Sequence, residues 1–203
     1  MNKPILNIDL DGVIYPFIDV FRRYLTEKKA YGTLTFIDQI TFREFGGTPP
    51  VPTQWNAWED WGMPKEQWMS EFRRGVNDGF IWSDGEPIEG AVDGMWQLDD
   101  AGYFLRIVTN RLVLKASHRE TLFATAMWLD KFNIPYHSLC MLGGESKATL
   151  TGVGLLDDKP ENVDEFQWAP AYLFSQPWNA GYEGEATIVD GWGQAVVELE
   201  GLR

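Results

Sequence analysis

Short apolar runs alternate along this chain with longer stretches in which apolar residues recur every three to four positions. Ile5-Leu6-Asn7-Ile8-Asp9, bounded by Pro4 and Gly12, predicts a buried strand that must turn at its end. Pro16 can open a helix whose apolar face is Phe17, Phe21, Tyr24 and Leu25, with Arg22, Arg23, Glu27 and Lys28 outside. From residue 30 to residue 82 the pattern changes. A Pro49-Pro50-Val51-Pro52 linker precedes Trp55, Trp58, Trp61, Trp68 and Trp82, and Pro64 starts a helix with Trp68, Met69, Phe72 and Val76 on its buried side. The alternation then resumes. A helix over 91–101, closed by Gly102, leads into a strand over 103–108, a long helix over 116–132, a strand over 138–142 and a short helix over 145–150. A strand over 153–156, a helix over 160–166, a strand over 171–174 and a helix over 194–199 complete the sequence.

Strands alternating with helices imply a parallel sheet covered on both faces. The expected fold is therefore α/β, a Rossmann-like sheet of about five strands built from residues 1–16 and 83–203. Residues 17–82 form a small, mainly helical cap inserted after the first strand.

Composition narrows the partners. The 203 residues and 44% hydrophobic content support a full domain with an insert. With 17 basic and 30 acidic residues, the formal charge of -13 argues against a nucleic-acid polymer, whose phosphates need Lys and Arg. A small phosphorylated ligand stays compatible, because a bound cation and a few placed bases can reverse the field locally. Cys140 has no partner for an intrachain disulfide, and the run Leu139-Cys140-Met141-Leu142 suggests a buried, inert thiol. No apolar run reaches membrane-spanning length and no leader pattern opens the chain, so no membrane partner and a cytoplasmic setting are the default expectations. A homodimer is compatible with the sequence but not required by it.

Candidate chemistry sits at the strand ends. Asp9 and Asp11, in Asp-x-Asp spacing, would point the same way about 7 Å apart at ~3.3 Å rise per residue. Two like charges that close need a metal or a shared proton. An Asp-Gly after a strand can also be only a turn. A second acidic strand end, Leu155-Leu156-Asp157-Asp158-Lys159-Pro160, and a polar one, Val108-Thr109-Asn110-Arg111, change the balance. In an open parallel sheet the ligand crevice lies outside the carboxyl ends of the strands, so these three ends can converge on one site.

Asp9-Leu10-Asp11-Gly12-Val13, Thr109-Asn110, Lys147 and Asp157-Asp158 resemble, in order, the four motifs of the haloacid dehalogenase superfamily. The resemblance implies that Asp9 is the nucleophile that attacks phosphorus and that Asp11 is the general acid, then the general base. It assigns Mg²⁺ to the Asp9 carboxylate, the Asp11 backbone carbonyl and Asp157, with Asp158 holding a coordinated water or acting as a second ligand. Thr109 and Asn110 would donate to phosphate and Lys147 would supply a fixed positive charge. Taken singly, Thr109-Asn110 also fits a cap or turn and Lys147 a solvated lysine. Arg111 fits a phosphate or substrate contact and a surface position equally.

Within the superfamily the chain is similar to the 5′(3′)-deoxyribonucleotidases, through Asp9 to Phe17, Phe80-Ile81-Trp82 before Glu86-Pro87-Ile88-Glu89-Gly90-Ala91, and Leu155 to Lys159. That similarity implies a phosphomonoesterase for a small phosphorylated substrate, a deoxyribonucleoside monophosphate foremost, with Phe17 and Trp82 as substrate contacts. The remaining cap tryptophans are expected to be core. The alternatives are a phosphatase of another small metabolite and a silent nucleotide- or protein-binding member. His118 and His137 are expected to be structural.

Overall fold

The computed structural model describes residues 3–30, 47–113 and 118–202. Six strands form one sheet: β1 (Ile5–Asp9), β2 (Phe104–Thr109), β3 (Ser138–Met141), β4 (Gly154–Asp157), β5 (Ala171–Phe174) and β6 (Thr187–Val189). Their order is β3-β2-β1-β4-β5-β6 and every pairing is parallel. The chain thus walks outward from β1 to one edge, then returns to the other side of β1. The strand order reverses between β1 and β4, and the crevice at their carboxyl ends is where such a sheet can take a ligand.

Leu6, Asn7 and Ile8 are all fully buried although successive residues face opposite sides. Helices therefore cover both faces, as the near-continuous apolar runs require. The helices are α1 (Phe17–Ala30), α2 (Ala57–Asp60), α3 (Lys65–Asn77), α4 (Ala91–Asp100), α5 (His118–Lys131), α6 (Pro160–Glu165) and α7 (Trp192–Glu200). Helix α4 packs on α7 and on β2, while α6 lies against β4 and β5. Among the described residues no helix is long and apolar enough to cross a membrane.

The sequence reading of about five strands falls one short. Strand β6 is three residues long, and Thr187 and Ile188 are exposed because it is an edge, so its Ile188-Val189 pair is too short a run to stand out. The helix expected over 145–150 is a single 3-10 turn, Lys147–Thr149, capped by the Ser146 hydroxyl, which accepts from Ala148 N at 3.2 Å. Cys140 is half-buried rather than enclosed, because β3 is the other sheet edge. Residues 116 and 117 of the expected long helix, and residues 31–46 of the expected insert, lie outside the described residues.

Between β1 and β2, helices α1, α2 and α3 pack together around aromatic rings. Phe21 meets Trp68 at 5.1 Å and Phe72 at 5.6 Å between ring centres, and Phe72 meets Trp82 at 5.4 Å. Residues 49 and 50 are held to this body by Arg22 Nε, which donates to the Pro49 carbonyl at 2.7 Å, and by Trp61 Nε1, which donates to the Pro50 carbonyl at 2.9 Å. The Tyr15 hydroxyl donates to the carbonyls of Ile81 and Asp84, so the two crossings between this body and the sheet are tied to each other.

Candidate active site

Strand β1 ends at Asp9, and the chain turns at Gly12, whose φ of +85° is the left-handed region that glycine adopts without strain. A Cβ at position 12 would also fall 2.1 Å from Asp158 Oδ2. Only glycine lets the turn after β1 approach the end of β4 this closely.

Three carboxylates meet at that junction. Asp9, Asp157 and Asp158 are all buried, and each offers an oxygen within 4.8 Å of the others. Lys147 is buried among them and donates to Asp9 Oδ1 and to Asp157 Oδ2, both at 2.6 Å. Burial lowers the pKa of the Lys147 ammonium, but the charges of Asp157 and Asp9 outweigh burial and raise it above the usual lysine range. One ammonium against three carboxylates would leave two negative charges in excess with all three ionised. Burial, reinforced by the charges of Asp157 and Asp11 and opposed by Lys147, pushes Asp9 up to about 7. Burial and the charges of Asp9 and Asp157 raise Asp158 well above the ordinary carboxylate range.

The two neighbouring acids of β4's end are partnered differently. Asp157 accepts from Lys147 Nζ, from Lys159 N at 2.9 Å, and from Asn162 Nδ2 at 3.0 Å to each oxygen. Asp158 Oδ2 accepts from Trp178 Nε1 at 2.9 Å, while its Oδ1 is buried with no hydrogen-bond partner among the described residues. An unmet buried carboxylate oxygen is costly, and it sits in the cluster that is short of positive charge.

Asp11 stands apart from this cluster. It is one-quarter exposed, accepts from the Thr109 hydroxyl at 2.8 Å, and forms a forked ion pair with Arg111. The strand alternation expected to align Asp9 with Asp11 stops at Asp9, and the two acids have separate cations. Arg111 is not a surface residue. Its side chain is fully buried, which corrects the even balance between contact and surface. Parallel pairing of Asp9 with Val108 sets the residues after β2 level with those after β1, and so brings Arg111 to Asp11.

A cavity of about 450 Å³ opens on these groups. Asp9, Asp11, Asn110, Arg111, Lys147 and Asp158 are its polar lining, and Phe17, Trp55, Trp58, Trp68, Phe72 and Trp82 its aromatic lining. Thr109 and Asp157 do not line it. Thr109 gives its hydroxyl to Asp11, and Asp157 lies behind Lys147. Asn110 Oδ1 accepts from Gly144 N at 3.2 Å, joining the loops after β2 and β3. Sequence reasoning missed Trp55, Trp178 and Asn162. Trp178 follows the end of β5 and could have been sought there, whereas Trp55 was hidden among tryptophans that are core, such as Trp61. His137 accepts from Leu105 N at 3.1 Å near the start of β2, opposite the strand ends. His118 opens α5 as an exposed residue.

Residues 3–199 match the sequence pattern of the 5′ nucleotidase, deoxy (Pyrimidine), cytosolic type C protein family. The chain belongs to this family. Among relatives of the nucleotidase family, a Chlorobaculum tepidum protein provisionally named 5′(3′)-deoxyribonucleotidase is 30% identical over 168 residues, 82% of this chain and 75% of the relative. A haloacid dehalogenase-like hydrolase from Streptococcus pneumoniae superposes with a TM-score of 0.62 at 14% identity, over 97% of this chain and 98% of the other. A haloacid dehalogenase hydrolase from Bacillus subtilis, solved bound to magnesium, superposes with a TM-score of 0.61 at 12% identity, over 98% and 99%. At such identities the superpositions speak for the fold. Family and fold together make the chain a 5′-nucleotidase-like phosphatase of the haloacid dehalogenase type.

Proposed function

We propose that the protein hydrolyses nucleoside monophosphates, deoxyribonucleotides foremost, through a phosphoryl group carried transiently on Asp9. The observation that carries this reading is the cavity itself, whose lining combines the acids and Lys147 of the strand ends with aromatic rings able to take a base. Its volume suits a mononucleotide, since small-ligand cavities run from roughly 300 to 1,000 Å³.

The donor set fits a divalent cation. The two excess negative charges and the unpartnered Asp158 Oδ1 call for one, and carboxylate oxygens are hard ligands. We assign Mg²⁺ to Asp9, Asp158 and the Asp11 backbone carbonyl, with Asp157 orienting Lys147 behind them. The sequence reading placed the ligand at Asp157, with Asp158 as a second ligand or the holder of a coordinated water; we favour Asp158 because the oxygens of Asp157 already accept from Lys147, Asn162 and Lys159 N. When bound, Mg²⁺ neutralises charge on the non-bridging phosphate oxygens.

The remaining chemistry belongs to side chains. Lys147 and Leu10 N hold Asp9 Oδ1, at 2.6 and 2.7 Å, and fix the carboxylate for attack on phosphorus. As the P–O bond to the nucleoside breaks, Asp11 gives its proton to the leaving oxygen. Asp11 then takes a proton from water, whose oxygen attacks phosphorus and releases phosphate and the Asp9 carboxylate. Asn110 and Lys147 face the phosphate, and Thr109 acts on it through Asp11. Residues 17–82 serve as the cap, with Phe17, Trp55 and Trp82 nearest the base.

The test is phosphate release from nucleoside 5′- and 3′-monophosphates beside sugar phosphates, with Mg²⁺ and with EDTA. Nucleotide turnover that EDTA abolishes is expected. Equal rates on sugar phosphates, or no effect of Phe17→Ala on kcat/KM, would favour a phosphatase of another metabolite. Nucleotide binding without release would favour a silent member.

A further inference from the structure

Arg111 is a buried cation set between aromatic rings and the acid Asp11. It begins the 3-10 turn Arg111–Val113 directly after β2, and its guanidinium lies over the rings of Tyr15, at 4.5 Å, and Trp82, at 4.2 Å. Burying a guanidinium costs several kcal/mol unless its donors are met, so a residue that only filled the gap between two aromatic rings would be aliphatic. Its donors are met in one direction. Nε reaches both oxygens of Asp11 at 3.1 Å and Nη2 reaches Oδ1 at 2.8 Å. Nη1 donates to the Thr125 hydroxyl of α5 at 2.9 Å, and that hydroxyl donates to the Thr121 carbonyl at 2.7 Å. The fork is thus clamped by α5 on one side and by two rings on the other, and its free edge is given to Asp11.

We propose that Arg111 is the positioning residue for proton transfer by Asp11, setting the plane of that carboxyl and tying it to the crossings of the insert. A planar fork fixes the orientation of a carboxyl as a lysine ammonium cannot. Arg111 has only donors and gives Asp11 a fixed fork, whereas the Thr109 hydroxyl on Oδ2 can turn to donate or accept and so follow the carboxyl without moving it. Tyr15 and Trp82 belong to the two crossings between sheet and insert, which the Tyr15 hydroxyl links through the Ile81 and Asp84 carbonyls. The same two rings support the guanidinium. The position of Arg111, and through it of Asp11, is thus tied to both crossings.

The inference rests on the reading of Asp11 as acid and base, and the experiment separates the two. Values of kcat/KM are measured with Mg²⁺ on a deoxynucleoside 5′-monophosphate, whose leaving oxygen needs a proton, and on p-nitrophenyl phosphate, whose leaving group does not. Arg111→Met should lose about 100-fold on the nucleotide, the lower range for removal of general acid catalysis, and less than about 5-fold on p-nitrophenyl phosphate. Arg111→Lys should recover about a tenth of the loss or less, because it restores charge without the fork. Asp11→Asn should discriminate between the esters at least as strongly. Equal losses on both esters in Arg111→Met and Arg111→Lys, beside a discriminating Asp11→Asn, would overturn the positioning role alone. An Asp11→Asn that does not discriminate would overturn the acid–base reading beneath it. If Arg111→Met does not fold, as read by its thermal melt, the ratio of the two losses in Arg111→Lys decides.

Discussion

At the ends of β1 and β4, buried charged side chains are held by bonds of 2.6 Å between Lys147 and its two aspartates, whereas between α1 and α3 aromatic rings meet at 5.1–5.6 Å with few polar contacts. The first region is short of positive charge, whereas the second is packed mainly by rings and its buried Glu71 is paired with Arg74. Directional bonds in a low-dielectric crevice fix atoms where a reaction needs them, at a cost in desolvation. Dispersion and burial among rings are non-directional and give a wall with shape but no chemistry. Substitutions of the crevice acids should therefore act on turnover and cation dependence, loss of the buried Lys147 cation also on stability, and substitutions in the insert on stability and substrate affinity.

The widest separation is expected from Asp9→Asn, which should lower turnover by ~10⁴-fold or more while leaving the fold intact, as with other nucleophile deletions. Retention of parental rates in a phosphate-release assay would remove Asp9 from the reaction. Lys147→Met comes next. It strands Asp9 and Asp157 without their cation and should destabilise the apo protein by ~3–5 kcal/mol in denaturant titration. A smaller loss would mean that the acids share protons instead.

Within the insert, Trp61→Ala should cost ~3–5 kcal/mol of stability, because the ring is buried. Trp55→Ala, at a ring 47% exposed, should change stability by less than ~0.5 kcal/mol yet raise the nucleotide KM by the ~1–3 kcal/mol of one stacking contact. The two tryptophans thus divide the insert into core and binding wall, and equal effects on both properties would erase that division.

Mg²⁺ should stabilise the protein by about 2.7 kcal/mol at a hundredfold excess over its dissociation constant, seen as a rise in Tm. The gain should grow with pH. Burial holds Asp9 and Asp158 above the unfolded carboxylate value, so between about pH 4 and about pH 7 the folded apo protein keeps protons that the unfolded chain releases. Apo stability from these groups falls across that window as pH rises, and the cation competes with the same protons. Asp158→Asn should remove most of the Mg²⁺ gain, and a Tm rise as large at pH 5 as at pH 8 would contradict the assignment. The smallest effect concerns Glu71, a charged residue buried on α3 and raised by that burial. Glu71→Gln should alter stability by a few tenths of a kcal/mol at pH 7, with the slight loss of stability as pH rises past the ordinary glutamate range becoming flatter.

Local pattern alone determined a good deal here. The acids at the end of β1, the apolar runs of β2, β4 and β5, and the Pro-started α3 follow from periodicity and turn chemistry, which act over a few residues. Strand β6 escaped because three residues on an edge need no apolar signal. Only the tertiary structure decided that Asp157 is saturated while Asp158 keeps an unmet oxygen, that Thr109 serves Asp11, that Arg111 is buried, and that Trp55 faces the cavity while Trp61 does not. Each depends on partners far away in the chain, in the case of Arg111 and Asp11 a hundred residues apart. The register between β1 and β2 and the turn at Gly12 bring them together, and neighbouring residues of identical type then acquire different environments.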